Sequence, residues 1–225
     1  MHRQAHLPLT SIDLLLLLGK TLAYVWPMIV HILDQPQMQI GDGPIGIVLS
    51  PTRELAAQIF TEAKKFAKIF NMRVCAVFGG GGKWEMVKAL KDAPEMVVAT
   101  PGRFIELIRC KATNLRRCTM VVLDEADRMF EMGFEYQMRS IVNNIRPDRQ
   151  TLLFSATMKK KVEGFARELL KDPIRIVVGT IGQANPDIRQ VNHTYLTPIS
   201  FPLHCVVQEN CYSNNSNYII MDEFR

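Results

Sequence analysis

The chain of 225 residues has room for one large or two small domains, and its hydrophobic share of 48% allows a sizeable core. With 22% charged residues it has the ordinary make-up of a soluble globular protein, and 27 Lys and Arg against 22 Asp and Glu leave a net charge of +5, which suits a polyanionic partner without specifying one. Five scattered cysteines (Cys75, Cys110, Cys118, Cys205 and Cys211) contain no CxxC pair, which speaks against a disulfide framework and for a reducing compartment.

The first strong feature is the run of five leucines, Leu14 to Leu18, with apolar residues continuing patchily to Leu33. About 20 apolar residues are needed to span a bilayer, but Lys20, Pro27 and His31 interrupt this stretch. No small-residue cleavage site follows a clean apolar core, as a signal peptide requires. A buried strand followed by a buried helix is the expected structure, with a membrane anchor as the alternative. Within this stretch Gly19-Lys20-Thr21 matches the end of the phosphate-loop pattern G-x-x-x-x-G-K-[ST], a tripeptide that is weak by itself.

From residue 45 the pattern becomes regular. Val-, Ile- and Leu-rich runs at 45–50, 73–78, 95–99, 119–124, 151–155 and 174–178 lack strict polar alternation, as strands covered on both faces do. Helical periodicity separates them. Residues 54–70 place Ile59, Ala63, Phe66 and Phe70 on one face, and residues 134–145 do the same with Phe134, Met138, Ile141, Val142 and Ile145. The expected fold class is α/β, a parallel sheet sandwiched between helices, with ligands beyond the carboxyl ends of the strands. After about Gln190 the composition shifts, residues 210–217 are Asn- and Ser-rich, and residues 193–225 read as a tail. Cys205 and Cys211 lie near His193 and His204, but their spacing matches no zinc pattern.

The chemistry-bearing residues fall at those strand ends. Val121-Val122-Leu123 runs into Asp124-Glu125-Ala126-Asp127, so an apolar strand ends in two adjacent carboxylates. Phosphoryl transfer uses one carboxylate to hold hydrated Mg²⁺ and another to orient the attacking water; a solvated acidic turn is the plain alternative. Ser155-Ala156-Thr157 puts two hydroxyls after the next strand, where they could reach the acidic site or cap a helix. Pro51-Thr52-Arg53-Glu54-Leu55-Ala56 and Thr100-Pro101-Gly102-Arg103 each follow a strand and open a helix, an arrangement that caps helices and also binds phosphate oxygens. Gly79 to Gly82 form a loop that lets backbone approach a ligand closely.

In this order and spacing the segments resemble the first RecA-like domain of a DEAD-box RNA helicase, from about Gly19 to about Gln190. The wording around Asp42-Gly43-Pro44 and from Arg146 to Thr157 is similar to the nuclear, splicing-associated branch, which implies the nucleus or cytoplasm and splicing or ribonucleoprotein factors as partners. The resemblance implies an ATP-binding RecA-like domain over residues 1–180, with an atypical N-terminal part, and a divergent tail over 181–225. It implies ATP and Mg²⁺ as cofactors, RNA as partner, and no membrane. Gly19, Lys20 and Thr21 would contact ATP, Thr21 and Asp124 would hold Mg²⁺ partly through water, and Asp124 and Glu125 would carry catalysis. Asp127, Ser155 and Thr157 would couple the nucleotide site to strand separation, while Arg53, Gly80, Thr100, Gly102 and Arg103 would line the RNA backbone path.

Three departures stand out. The family's phosphate loop reads Ala-x-Thr-Gly-Ser-Gly-Lys-Thr, whereas Leu14 to Leu18 precede Gly19 here. Leucine resists the positive-φ curl that turns N–H groups toward phosphate, so ATP affinity is expected to be much reduced. No aromatic–Gln adenine-recognition segment is found upstream, and the second RecA-like domain, with its arginine finger worth about 10³–10⁵ in rate, is missing downstream. The expectation is a truncated, mispredicted or spliced form with weak activity alone, or a non-catalytic RNA- or partner-binding remnant.

Overall fold

The computed structural model describes residues 19–178 and 217–222, the latter by backbone alone. Helix α1 (Lys20–Leu33) leads into β1 (Gly46–Leu49) and α2 (Arg53–Ala67), which ends in a 3-10 turn at Lys68–Phe70. Then come β2 (Val74–Val77), α3 (Lys83–Lys91), β3 (Met96–Ala99), α4 (Pro101–Arg109) and β4 (Met120–Leu123). The chain continues through α5 (Ala126–Glu131), α6 (Glu135–Asn143), β5 (Gln150–Ser155), α7 (Lys160–Leu169), β6 (Pro173–Val178) and β7 (Asn217–Asp222).

The sheet order is β2-β3-β1-β4-β5-β7-β6. Its first five strands are parallel, as the strand–helix alternation predicts. β1, β3 and β4 are buried along their whole length, which explains their unalternated apolar sequences. Alternate residues feed two cores. Val48, Val98 and Val122 join Tyr24, Met28 and Ile32 of α1 and Ile59 and Ala63 of α2. Leu49, Ala99 and Leu123 join Phe104 and Leu107 of α4, Met138 and Ile141 of α6, and Phe165 of α7. α1 lies so close to the sheet that a Cβ at Gly46 would stand 2.5 Å from the Met28 sulfur, so any larger residue there would force the buried Met28 side chain to move.

Three expectations change. β6 is not covered on both faces; it is the edge strand, with Ile174 and Val177 nearly half exposed. Phe70 does not continue the buried face of α2, because the 3-10 turn rotates it outward to 47% exposure. Within the expected tail, Asn217–Asp222 forms a strand inserted antiparallel between β5 and β6. The leucine run, the cysteines and histidines at 193–211, and the remainder of 181–225 lie outside the described residues. Among the described residues no helix is long and apolar enough to cross a membrane.

Candidate active site and nucleic-acid interface

In-register parallel pairing sets the candidate residues side by side. Leu49 pairs with both Ala99 and Leu123, so the residues that follow leave the sheet at one level. Ser50 N–H then donates to Ala99 O (3.0 Å), Thr100 N–H to Val77 O (2.9 Å) and Asp124 N–H to Leu49 O (2.8 Å). This carboxyl edge has two adjoining parts: the ends of β2, β3 and β1, and the ends of β4 and β5.

At the β4 end, Asp124 is only 5% exposed. Its Oδ2 accepts a hydrogen bond from the Tyr24 hydroxyl (2.9 Å), and its Oδ1 accepts one from the Glu125 N–H (2.9 Å). Burial pushes the Asp124 carboxyl above its ordinary range, against the Tyr24 hydrogen bond and the positive charge of Lys20, which both pull it down. Burial first, and the Asp124 charge second, raise the Tyr24 phenol well above its ordinary value. Lys20 and Thr21 occupy the first turn of α1, where Gly19 is the N-cap with φ +124. The start of α1 and the end of β4 are thus close enough for Lys20 to act electrostatically on Asp124.

Glu125 is the N-cap of α5 and sits in the left-handed region at φ 51, ψ 51, with no side-chain cap hydrogen bond. Its carboxylate, about a third exposed, lies 3.5 Å from the Arg128 guanidinium. Asp127 closes a network with the end of β5. Its Oδ2 accepts from the Thr157 N–H (2.9 Å) and hydroxyl (2.8 Å), its N–H donates to Ser155 Oγ (3.2 Å), and the Ser155 hydroxyl donates to Thr157 O (2.8 Å). The helix-capping alternative for Ser155 and Thr157 is therefore not the one realised; α7 has Lys159 as its N-cap.

On the other part of the edge, Thr52 caps α2 by accepting the Leu55 N–H (3.3 Å). The Arg53 guanidinium lies against Gly80, whose φ is +84; a Cβ there would come within 2.2 Å of Arg53 Nη1. Thr100 stands at the N-cap of α4 with Pro101 in the first turn, but its hydroxyl makes no cap hydrogen bond. Gly102 and Arg103 follow in that turn, and Arg103 Nη1 pairs with Glu106 at 3.2 Å. Glu106 also receives Lys83 Nζ at 2.6 Å from the start of α3. The structure thus joins Arg53 to Gly80, and Arg103 to Lys83 through Glu106.

Sequence reasoning passed over Tyr24, Lys83 and Glu106. The i, i+3 spacing of Arg103 and Glu106 is a readable signal. Tyr24 gives none, because its partner lies 100 residues away.

Residues 18–165 match the family model described as DEAD/DEAH box helicase. ATP-dependent RNA helicase DDX42 of Xenopus laevis is 60% identical over 173 residues, covering 77% of this chain and 18% of that protein. DEAD-box ATP-dependent RNA helicase 24 of Oryza sativa subsp. japonica is 63% identical over 173 residues, covering 77% of this chain and 22% of that protein. The chain therefore spans about a fifth of the length of these curated relatives. Among solved structures, the yeast DEAD-box splicing factor Prp28 superposes with a TM-score of 0.65 at 34% identity, over 68% of this chain and 37% of that one. A DEAD box protein from the hyperthermophile Methanococcus jannaschii does so with a TM-score of 0.60 at 35% identity, over 68% of this chain and 40% of that one.

Proposed function

Because this chain belongs to the DEAD/DEAH box helicase family, we propose that it is the nucleotide-binding half of an ATP-dependent RNA helicase. The observation that carries this reading is that α1, which opens on Lys20 and Thr21, meets the buried Asp124 at the carboxyl edge of a parallel sheet, the Tyr24 hydroxyl lying 2.9 Å from Asp124 Oδ2. A helix N-terminus that carries a lysine offers N–H groups and charge to phosphates. Lys20 and Thr21 would take the outer phosphates of ATP, Asp124 would hold Mg²⁺, and Glu125 would orient the attacking water.

The donor set suits Mg²⁺. Asp124 and Thr21 supply hard oxygen atoms, and among the described residues no group of three or more His, Cys, Asp or Glu forms a dedicated cage. Mg²⁺ is commonly held by one or two carboxylates together with substrate phosphates. When bound, the ion would neutralise phosphate charge. Asp127 carries the state of this site to Thr157 and Ser155 through the network described above. Arg53, Gly80, Thr100, Gly102 and Arg103 take the RNA sugar-phosphate backbone, which gives little sequence preference. Prp28 is described as a splicing factor, and splicing factors are the partners we propose for this chain.

A second reading is favoured by Leu14 to Leu18: a chain that binds RNA or a partner while turning over ATP slowly or not at all. Calorimetry with Mg²⁺-ATP and RNA-stimulated ATP hydrolysis separate the two. The chain is expected to bind ATP weakly, and replacing Leu16, Leu17 and Leu18 with Thr, Gly and Ser should tighten binding by tenfold or more. Robust turnover by the unaltered chain, lost in Glu125→Gln, would overturn the weak-loop argument. Failure of the Thr-Gly-Ser variant to bind would overturn the nucleotide reading.

A further inference from the structure

Tyr24 is a polar group where the helix needs only an apolar one. Its ring is fully buried and meets Phe154 edge-on, with centroids 5.2 Å apart and planes at 63°, so it is fixed from the β5 side. It stands three residues after Thr21 and four after Lys20, on the same side of α1. The hydroxyl extends past this apolar contact to Asp124 Oδ2, joining α1 to β4 across 100 residues of sequence. Phenylalanine would satisfy the packing without bringing a second polar group into a desolvated spot. The other carboxylate oxygen is held by the Glu125 N–H. Asp124 is thus tethered at both oxygens, with one lone pair on each still free.

We propose that Tyr24 is a positioning residue for the metal-holding carboxylate: its hydroxyl locks Asp124 to the helix that presents Lys20 and Thr21, so that phosphate and metal groups keep one geometry. This rests on the nucleotide reading above. Loss of such an outer partner costs about 10- to 100-fold in metal affinity at other sites. Tyr24→Phe keeps the ring and its contact with Phe154 and removes only the hydroxyl, with its hydrogen bonds to Asp124 and Thr21.

The test measures binding of a fluorescent ADP analogue with Mg²⁺ and with EDTA, in the whole chain and in its Thr-Gly-Ser loop variant. The Mg²⁺-dependent tightening should fall about tenfold in Tyr24→Phe, with the metal-free affinity unchanged. In an Asp124→Asn background the same substitution should have no further effect. Equal weakening with and without Mg²⁺, or an unchanged ratio, would mean that the hydroxyl is only structural and would overturn the inference while leaving the nucleotide reading standing. If neither chain binds the analogue under any condition, the nucleotide reading fails and Tyr24 loses this role with it.

Discussion

Glu125 should be a position where glycine is more stabilising than alanine, the reverse of an ordinary helical site. Its φ of 51 and ψ of 51 place an L-residue in the left-handed region at a cost of about 1–2 kcal/mol. Glu125→Ala and Glu125→Gly both remove the carboxylate and its exposed contact with Arg128, so those losses cancel between the two variants. What differs is the Cβ. Glycine relieves the strain but brings an unfolded-chain entropy cost of about 0.5–1 kcal/mol. The net expectation is that Glu125→Gly is the more stable of the pair by about 1 kcal/mol, which in a chain of this size is about 2–4 °C in Tm. The control is Gln58, exposed within α2, where Ala should exceed Gly by about 1 kcal/mol. Urea and thermal unfolding of the four variants measure both differences. If Glu125→Ala is at least as stable as Glu125→Gly, the strain argument is refuted. A confirmed inversion would show that the turn is held against its own preference, in the geometry that aims the Glu125 N–H at Asp124.

Four further outcomes are expected. Gly43→Ala would put a Cβ 1.8 Å from the Asn114 carbonyl oxygen and prise apart the loop contacts made by Asn114 with Gly41 and Arg117 with Asp42, lowering stability by about 1–3 kcal/mol in urea unfolding. Gly80→Ala would displace the Arg53 guanidinium and force a left-handed backbone, so RNA affinity in filter binding should fall together with Tm; full affinity would remove Arg53 from the proposed interface. Because burial raises the Asp124 carboxyl, the folded chain holds that proton to higher pH than the unfolded chain, and this group's contribution to stability is lost as pH rises from the ordinary carboxylate range through the raised value. Asp124→Asn should therefore gain stability relative to the unaltered chain as pH rises above the ordinary carboxylate range, and a flat or opposite trend in denaturant titrations would contradict the burial argument. Mass-mapped alkylation at pH 8 should label the exposed Cys110 in the native state, while Cys75 and Cys118, buried with thiols pushed up to about 12, should react only on unfolding.

The parts legible in the sequence were those governed by local period. β1, β3 and β4 show as unbroken apolar runs because both faces are covered, and α6 shows through Met138, Ile141 and Val142. β6 gave the same signal although it lies at the edge, since an apolar run does not say what covers it. Asn217–Asp222 was missed because its Asn-rich approach hides a strand that pairs with β6 along its whole length and with β5 from Tyr218 to Met221. At the site, the acidic pair, the Arg53 and Thr100 turns and the Ser155–Thr157 hydroxyls were all visible, because each follows a strand. What they touch was not. Thr100 is the N-cap of α4 without using its hydroxyl, and Ser155 and Thr157 bind Asp127 instead of capping α7. Tyr24 was hidden within an apolar helix whose pattern explains its ring and leaves its hydroxyl unaccounted for.

Register is the reason such separated motifs can be read as one site. Ser50, Thr100 and Asp124 have no fixed spacing along the chain, yet each is the first residue past a parallel pair that ends level with its neighbour. Their N–H groups still bond to the strand beside them, so the backbone is held while the side chains leave the ladder. A slip of one residue in β4 would turn Asp124 into the core where Leu123 packs and replace a level edge with an apolar step. The burial of Leu49, Ala99 and Leu123 opposes that slip, so the apolar residues that hold the strands together also fix where the carboxylate emerges. Weakening that packing, for instance by Leu123→Ala, should disturb Asp124 before it unfolds the sheet, because the carboxylate depends on its register to within one residue while the core depends on many contacts.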